Sequence, residues 1–156
     1  MKKRYYAAYG SNLNAAQMRC RCPDARVVGT AELDGWRLLF KGSMSGFYLT
    51  IEQEEGSRVP VAVWEVSEAD EARLDRFEGV PHCYYKKELV LGIKGIRSGK
   101  IRRRRVFLYI MHEERPIGLP TRRYVMTCAQ GYRNFGFDLA ALGDALYFSN
   151  REAVLR

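Results

Sequence analysis

Tyr5-Tyr6-Ala7-Ala8-Tyr9-Gly10-Ser11-Asn12-Leu13 is the stretch around which the rest of the chain is organised. Tyr5 to Tyr9 is a run of aromatic and small residues that suits a strand. Gly10-Ser11-Asn12 then suits a tight turn. Asn14 fits a helix N-cap, with Gln17 three residues on and Met18 on the apolar side. The order is therefore strand, small-residue turn, helix. Such a turn leaves backbone N–H groups facing outward beside a helix N-terminus, where they can hold a carboxylate or a developing oxyanion. An ordinary strand-to-helix connection has the same local composition.

Working outward, 156 residues at 47% hydrophobic content give one globular domain, residues 1–156, with a sizeable core. No apolar run approaches the roughly 18 residues of a membrane span. No signal-peptide pattern follows Met1-Lys2-Lys3-Arg4, so a cytoplasmic protein is expected. The cysteines at 20, 22, 83 and 128 lack zinc-knuckle spacing, and His82 and His112 lie far apart, so neither a metal nor a cofactor is expected. The net charge of +8 is concentrated in Lys94, Arg97, Lys100 and Arg102-Arg103-Arg104-Arg105. On a strand, Arg102 and Arg104 face one side and Arg103 and Arg105 the other, which breaks any continuous phosphate-tracking stripe. A nucleic-acid partner is thus disfavoured, and a solvated hairpin end is the simpler reading.

The remaining chain reads as strands punctuated by turns. Arg26–Leu33 and Trp36–Lys41 flank Asp34-Gly35, a strong hairpin signal. Gly42-Ser43-Met44-Ser45-Gly46 is a flexible loop. Phe47–Gln53 and Val59–Val66 flank the turn Glu54-Glu55-Gly56-Ser57. Ser67 caps a helix to Phe77 that carries Leu74 and Phe77 inward and ends at Gly79. Tyr84–Leu91 and Ile101–Met111 pair, a helix opens at Thr121, and a last helix spans Phe137–Tyr147. About seven strands joined mostly by hairpins predict an α+β fold: a small mixed β-barrel or strongly curved sheet with flanking helices.

Glu78 breaks a local rule. A carboxylate at a helix C-terminus meets partial negative charge, and partial burial would add to the effect, so its pKa is expected to rise. A glutamate of that kind exchanges protons near neutral pH. Of Tyr84 and Tyr85, one faces in and one out. Tyr124, just past Pro120-Thr121, could fill core or line a site.

The order of these features resembles the γ-glutamylcyclotransferase-like superfamily, AIG2-like proteins included. The residues that carry the resemblance are Tyr9-Gly10-Ser11-Asn12-Leu13, Arg21-Cys22-Pro23, Gly29-Thr30-Ala31-Glu32-Leu33, Leu74-Asp75-Arg76-Phe77-Glu78-Gly79-Val80, Tyr85 and Pro120-Thr121-Arg122-Arg123-Tyr124, spread over roughly residues 5–145. The resemblance implies a small mixed β-barrel of about five to seven strands. It implies cofactor-independent release of 5-oxoproline from a small-molecule γ-glutamyl substrate, with Glu78 as general acid/base. The loop Tyr9, Gly10, Ser11, Asn12 and Leu13 would bind the γ-glutamyl part through backbone amides, and Tyr85 and Tyr124 would line the pocket. An inactive binding or regulatory module of the same fold, or a basic nucleic-acid-binding protein, are the alternatives. The loop 42–46 and the basic hairpin are candidates for substrate selection.

Overall fold

A computed structural model describes residues 2–43 and 45–154. Five strands form a closed barrel in the order β1-β3-β2-β4-β5: β1 Arg4–Ala8, β2 Arg26–Ser43, β3 Gly46–Val66, β4 Tyr84–Gly95 and β5 Ile101–Met111. Neighbours are antiparallel except β1 and β5, which close the barrel in parallel through Tyr6 and Phe107. A 3₁₀ turn, Ser11–Leu13, follows β1 and leads into α1 Ala15–Arg21. Helices α2 Glu68–Glu78, α3 Arg122–Asn134 and α4 Ala140–Val154 complete the fold. The expected mixed barrel with flanking helices is therefore observed.

The helix starts follow from side-chain capping. Asn14 Oδ1 accepts from Gln17 N–H at 3.0 Å, Ser67 Oγ from Asp70 N–H at 3.1 Å and Thr121 Oγ1 from Tyr124 N–H at 3.2 Å. Each satisfies an amide that the first helical turn leaves without a partner. Gly79 ends α2 in the left-handed region at φ 65°, which a side chain would resist.

Among the described residues the strand count is five, fewer than the breaks in the sequence suggest, because two expected turns are a single irregularity inside one ribbon. Asp34 pairs with Arg58 and Trp36 with Gln53, so the segment 54–57 of β3 stands opposite Gly35. Gly35 at φ 81° and Gly56 at φ 86° supply the left-handed conformations of a bulge. The chain instead reverses between Ser43 and Gly46, which pair with each other. Met44 of the expected flexible loop lies outside the described residues. The bulge lets β2, at 18 residues, and β3, at 21, bend around the barrel, and β2 joins β4 at Gly29–Gly95 and Thr30–Lys94, with Ile96 N–H donating to Val28 O at 3.1 Å just beyond.

Leu74 is fully buried, but Phe77, expected inward, is 58% exposed. Residues three apart on a helix differ by roughly 60° in direction, enough to turn one from core to rim. The β4–β5 hairpin projects past the core: residues 101–105 of β5 are exposed and 106–111 buried.

Helix α3 lies against the 3₁₀ turn through Gly131, where an added Cβ would sit 2.5 Å from Leu13 Cβ and 2.6 Å from Asn14 N. Gly131→Ala should therefore destabilise the protein by about 1–3 kcal/mol. Gly143→Ala on α4, where an added Cβ meets nothing within 4 Å, should stabilise it by about 0.5–1 kcal/mol. Denaturant titrations of both variants check the pair.

Candidate functional site

The turn after β1, the C-terminal end of α2, the start of β4 and the start of α3 meet around a cavity of about 400 Å³. Tyr9, Gly10, Ser11, Asn12, Glu78 and Tyr124 all line it. Leu13 does not. Its side chain is fully buried, and its amide donates to Gly10 O at 3.0 Å. Ser11 and Asn12 open the 3₁₀ turn, so their amides have no acceptor within it and remain available to an anionic group.

Glu78 is the last residue of α2 and is half-buried on the cavity wall. Burial pushes its carboxyl up to about 7, and the nearby Arg21 charge opposes part of that rise. The helix-end carbonyls expected to add to the effect are partly capped: Gly79 N–H donates to Arg76 O at 3.2 Å and Val80 N–H to Asp75 O at 3.0 Å.

Arg21 ends α1 and carries the positive charge beside Glu78. Its Nη1 donates to Asn12 Oδ1 at 2.6 Å, and its guanidinium lies 3.3 Å from the centre of the Phe77 ring. Gln17 adds a further acceptor at 2.6 Å when its amide oxygen faces Arg21. Asn12 Nδ2 in turn donates to Tyr6 Oη at 3.0 Å. The turn is thus fixed from its own polar side chain outward.

Tyrosine hydroxyls frame the other walls. Leu49 is held through both backbone groups, its N–H donating to Tyr124 Oη at 3.1 Å and its C=O accepting from Tyr84 Oη at 2.8 Å. Tyr9 Oη donates to Tyr109 O at 2.5 Å, and Tyr109 Oη to Asp75 Oδ1 at 2.7 Å. Burial pushes the hydroxyls of Tyr6, Tyr9, Tyr84, Tyr109 and Tyr124 above the usual phenol range, so they stay neutral donors.

Tyr85, expected at the pocket, is directed elsewhere. Its hydroxyl donates to Glu113 Oε2 at 2.5 Å and its ring lies 5.3 Å from that of His112. Strand alternation sends Tyr84 to the cavity in its place. Sequence reasoning also missed Arg21, Tyr6, Tyr109 and Arg115, all of which line the cavity. Arg21 carried a usable signal, since it follows the buried Met18 by one helical repeat of three. No residue of the basic hairpin 94–105 lines the cavity, so the hairpin does not act on it directly. Loop residues Gly42, Ser43, Ser45 and Gly46 do line it.

Comparison with known proteins gives one family. The model of the family described as "Gamma-glutamyl cyclotransferase, AIG2-like" matches residues 6–126. A mouse γ-glutamylcyclotransferase is 32% identical over 139 residues, covering 84% of this chain and 71% of the relative. The human γ-glutamylcyclotransferase is 30% identical over 142 residues, covering 86% and 72%. A solved structure described as a γ-glutamyl cyclotransferase superposes with a TM-score of 0.79 at 24% identity, over 92% of this chain and 86% of that one. At that identity it shows the fold.

The raised Glu78 carboxyl ties stability to pH with a definite sign. The fold prefers the neutral form, and this contribution is fully present below the ordinary value of 4.5. It is lost as pH rises through about 7, because the unfolded chain ionises first. The wild type should therefore lose stability relative to Glu78→Gln between pH 5 and pH 8, by no more than about 3 kcal/mol. Urea titrations of both proteins at the two pH values check this, and a pH-independent difference would contradict the burial of Glu78.

Proposed function

The chain belongs to the γ-glutamyl cyclotransferase, AIG2-like family, and from that premise we propose that it releases 5-oxoproline from a small γ-glutamyl amide. The observation that carries this reading is Glu78: a carboxyl titrating near neutrality, beside a cation, at a cavity sized for a small molecule.

The substrate brings its nucleophile already tethered to the target carbonyl, which supplies most of the proximity effect. What is left for the protein is folding the γ-glutamyl chain toward a ring and moving two protons from the α-nitrogen to the departing nitrogen. The amides of Ser11 and Asn12, with the Arg21 charge behind them, hold the α-carboxylate. Ionised Glu78 takes a proton from the α-ammonium group, whose ordinary pKa is about 8. The freed α-nitrogen attacks the γ-carbonyl carbon, forming the C–N bond of the five-membered ring. Glu78 gives that proton to the departing nitrogen as the original amide C–N bond breaks, then takes the second proton from the ring nitrogen and passes it to the amine, which leaves as an ammonium ion. The products are 5-oxoproline and a free amine, no water is consumed, and Glu78 returns to its starting state. Neutral tyrosine hydroxyls around the cavity supply fixed dipoles without adding charge.

Glu78→Gln keeps shape and loses the proton. It should cut turnover at least ~10²-fold, with the dissociation constant changed by less than about 3-fold, or under 1 kcal/mol. A screen of γ-glutamyl compounds that detects free 5-oxoproline finds the substrate, and calorimetry on the variant gives binding. Full turnover by Glu78→Gln would sink the mechanism. A wild type that binds γ-glutamyl compounds and cyclises none would make the protein a binding module of the same fold.

A further inference from the structure

The stretch from Lys94 to Arg105 holds seven cations and no acid, against a net charge of +8 for the whole chain. Cross-strand neighbours do not neutralise them. In the β4–β5 register Arg102, Arg103, Arg104 and Arg105 stand opposite Ile93, Gly92, Leu91 and Val90. Among the described residues only Arg105 of this stretch has an ion pair, with Glu88 at 3.3 Å. Arg26 of β2 joins Arg97, Lys100, Arg102 and Arg104 around the groove beside the hairpin end.

The tip of this hairpin is held in place and turns apolar side chains outward. Gly95 N–H donates to Lys100 O at 2.9 Å, Gly99 N–H to Gly95 O at 2.9 Å, and Ile96 N–H to Val28 O of β2 at 3.1 Å. Ile96 is nevertheless 57% exposed and Ile101 71% exposed. Isoleucines fixed at a hairpin end among cations make an amphipathic point. Its apolar side chains suit the acyl boundary of a bilayer, and the cations around them suit acidic headgroups. The long arginine and lysine stems let the charges stay at headgroup level while the tip goes deeper.

We propose that the end of the β4–β5 hairpin docks end-on upon a lipid bilayer surface that carries acidic headgroups. Arginines on both faces of a ribbon make no continuous stripe for a nucleic-acid backbone, but a plane met end-on receives both faces at once. A phosphate backbone also offers Ile96 and Ile101 nothing apolar to bury against. Tyr84, at the start of β4, lines the cavity, and Gly95 ends the same strand, on the order of 30 Å further along it. End-on docking therefore keeps the cavity end of the strand away from the bilayer. None of the hairpin cations lines the cavity, so docking is independent of the cyclotransferase reading.

The test is co-sedimentation of the full chain with sucrose-loaded phosphatidylcholine vesicles, with or without about 30% phosphatidylserine, in about 0.15 M salt. The wild type should partition at least ~30-fold more strongly onto the acidic vesicles, and about 0.5 M salt should remove most of that preference. The double variant Arg103→Gln/Arg104→Gln should lose at least ~10-fold in partitioning onto acidic vesicles. Ile96→Ser/Ile101→Ser should lose at least ~3-fold and keep the preference for acidic lipid. Thermal melts check that both variants fold. Ile101→Trp leaves every charge in place, and its emission should shift to the blue on acidic vesicles. Equal partitioning onto both vesicle types, a preference that survives the arginine variant, undiminished partitioning by the folded isoleucine variant, or no blue shift overturns the proposal. Absent vesicle binding, together with binding of a labelled single-stranded oligonucleotide that the arginine variant loses, overturns it in favour of nucleic acid.

Discussion

A single guanidinium, that of Arg21, holds together the parts on which the cavity depends. It sits at the end of α1, bonds the Asn12 side chain of the preceding turn, and stacks on Phe77 of α2. Burying such a charge is expensive unless its donors find acceptors. Asn12, Gln17 and Ser11 supply them, while the aromatic face covers the flat side. Asn12 passes the constraint on to Tyr6, and Tyr6 stacks on Phe107 at 5.4 Å, where β1 meets β5. The barrel seam and the turn are therefore parts of one connected polar and aromatic system. The same charge restrains the rise in the Glu78 carboxyl, which burial alone would carry higher.

Much of this was legible in the sequence where local chemistry decides structure. Asn14, Ser67 and Thr121 act as caps because a short polar side chain at a helix start has few better partners. Gly79 ends α2 for a backbone reason visible in any context. Glu78 stands out in the sequence because a carboxylate at a helix end is out of place, and burial is the largest cause of its raised pKa. The errors lie where long-range pairing overrides local preference. Asp34-Gly35 supplies the positive φ a hairpin needs, but a bulge needs it equally, and only the distant partner 53–58 decides between them. Spacing alone puts Phe77 inward, yet the nearby Arg21 gives its ring a reason to stay at the rim. The choice between Tyr84 and Tyr85 depends on the register of β4 against β5, which is set by Tyr84–Met111 pairing across the sheet.

Charge in this protein is divided by place. The dense run at 97–105 sits on a hairpin end beyond the core, where solvent screens it and where it sets net charge and solubility. The cavity instead holds few charges in a drier setting, and each carries more weight there because screening is weaker. Counting arginines along the chain therefore gives a misleading picture of where electrostatics governs chemistry.

The parallel closure of β1 on β5 also governs the order in which the protein can be made. Tyr9 reaches the carbonyl of Tyr109, 100 positions further along the chain, and Tyr124 of α3 closes on Leu49 after that. A ribosome that has released only the first three strands has produced a sheet with its two edge strands unjoined and its cavity without walls. Contacts of such separation form late and slowly. Until β5 emerges, Tyr6 of β1 lacks the Phe107 and Tyr109 rings it packs against in the finished barrel, and apolar surface left uncovered in this way favours aggregation.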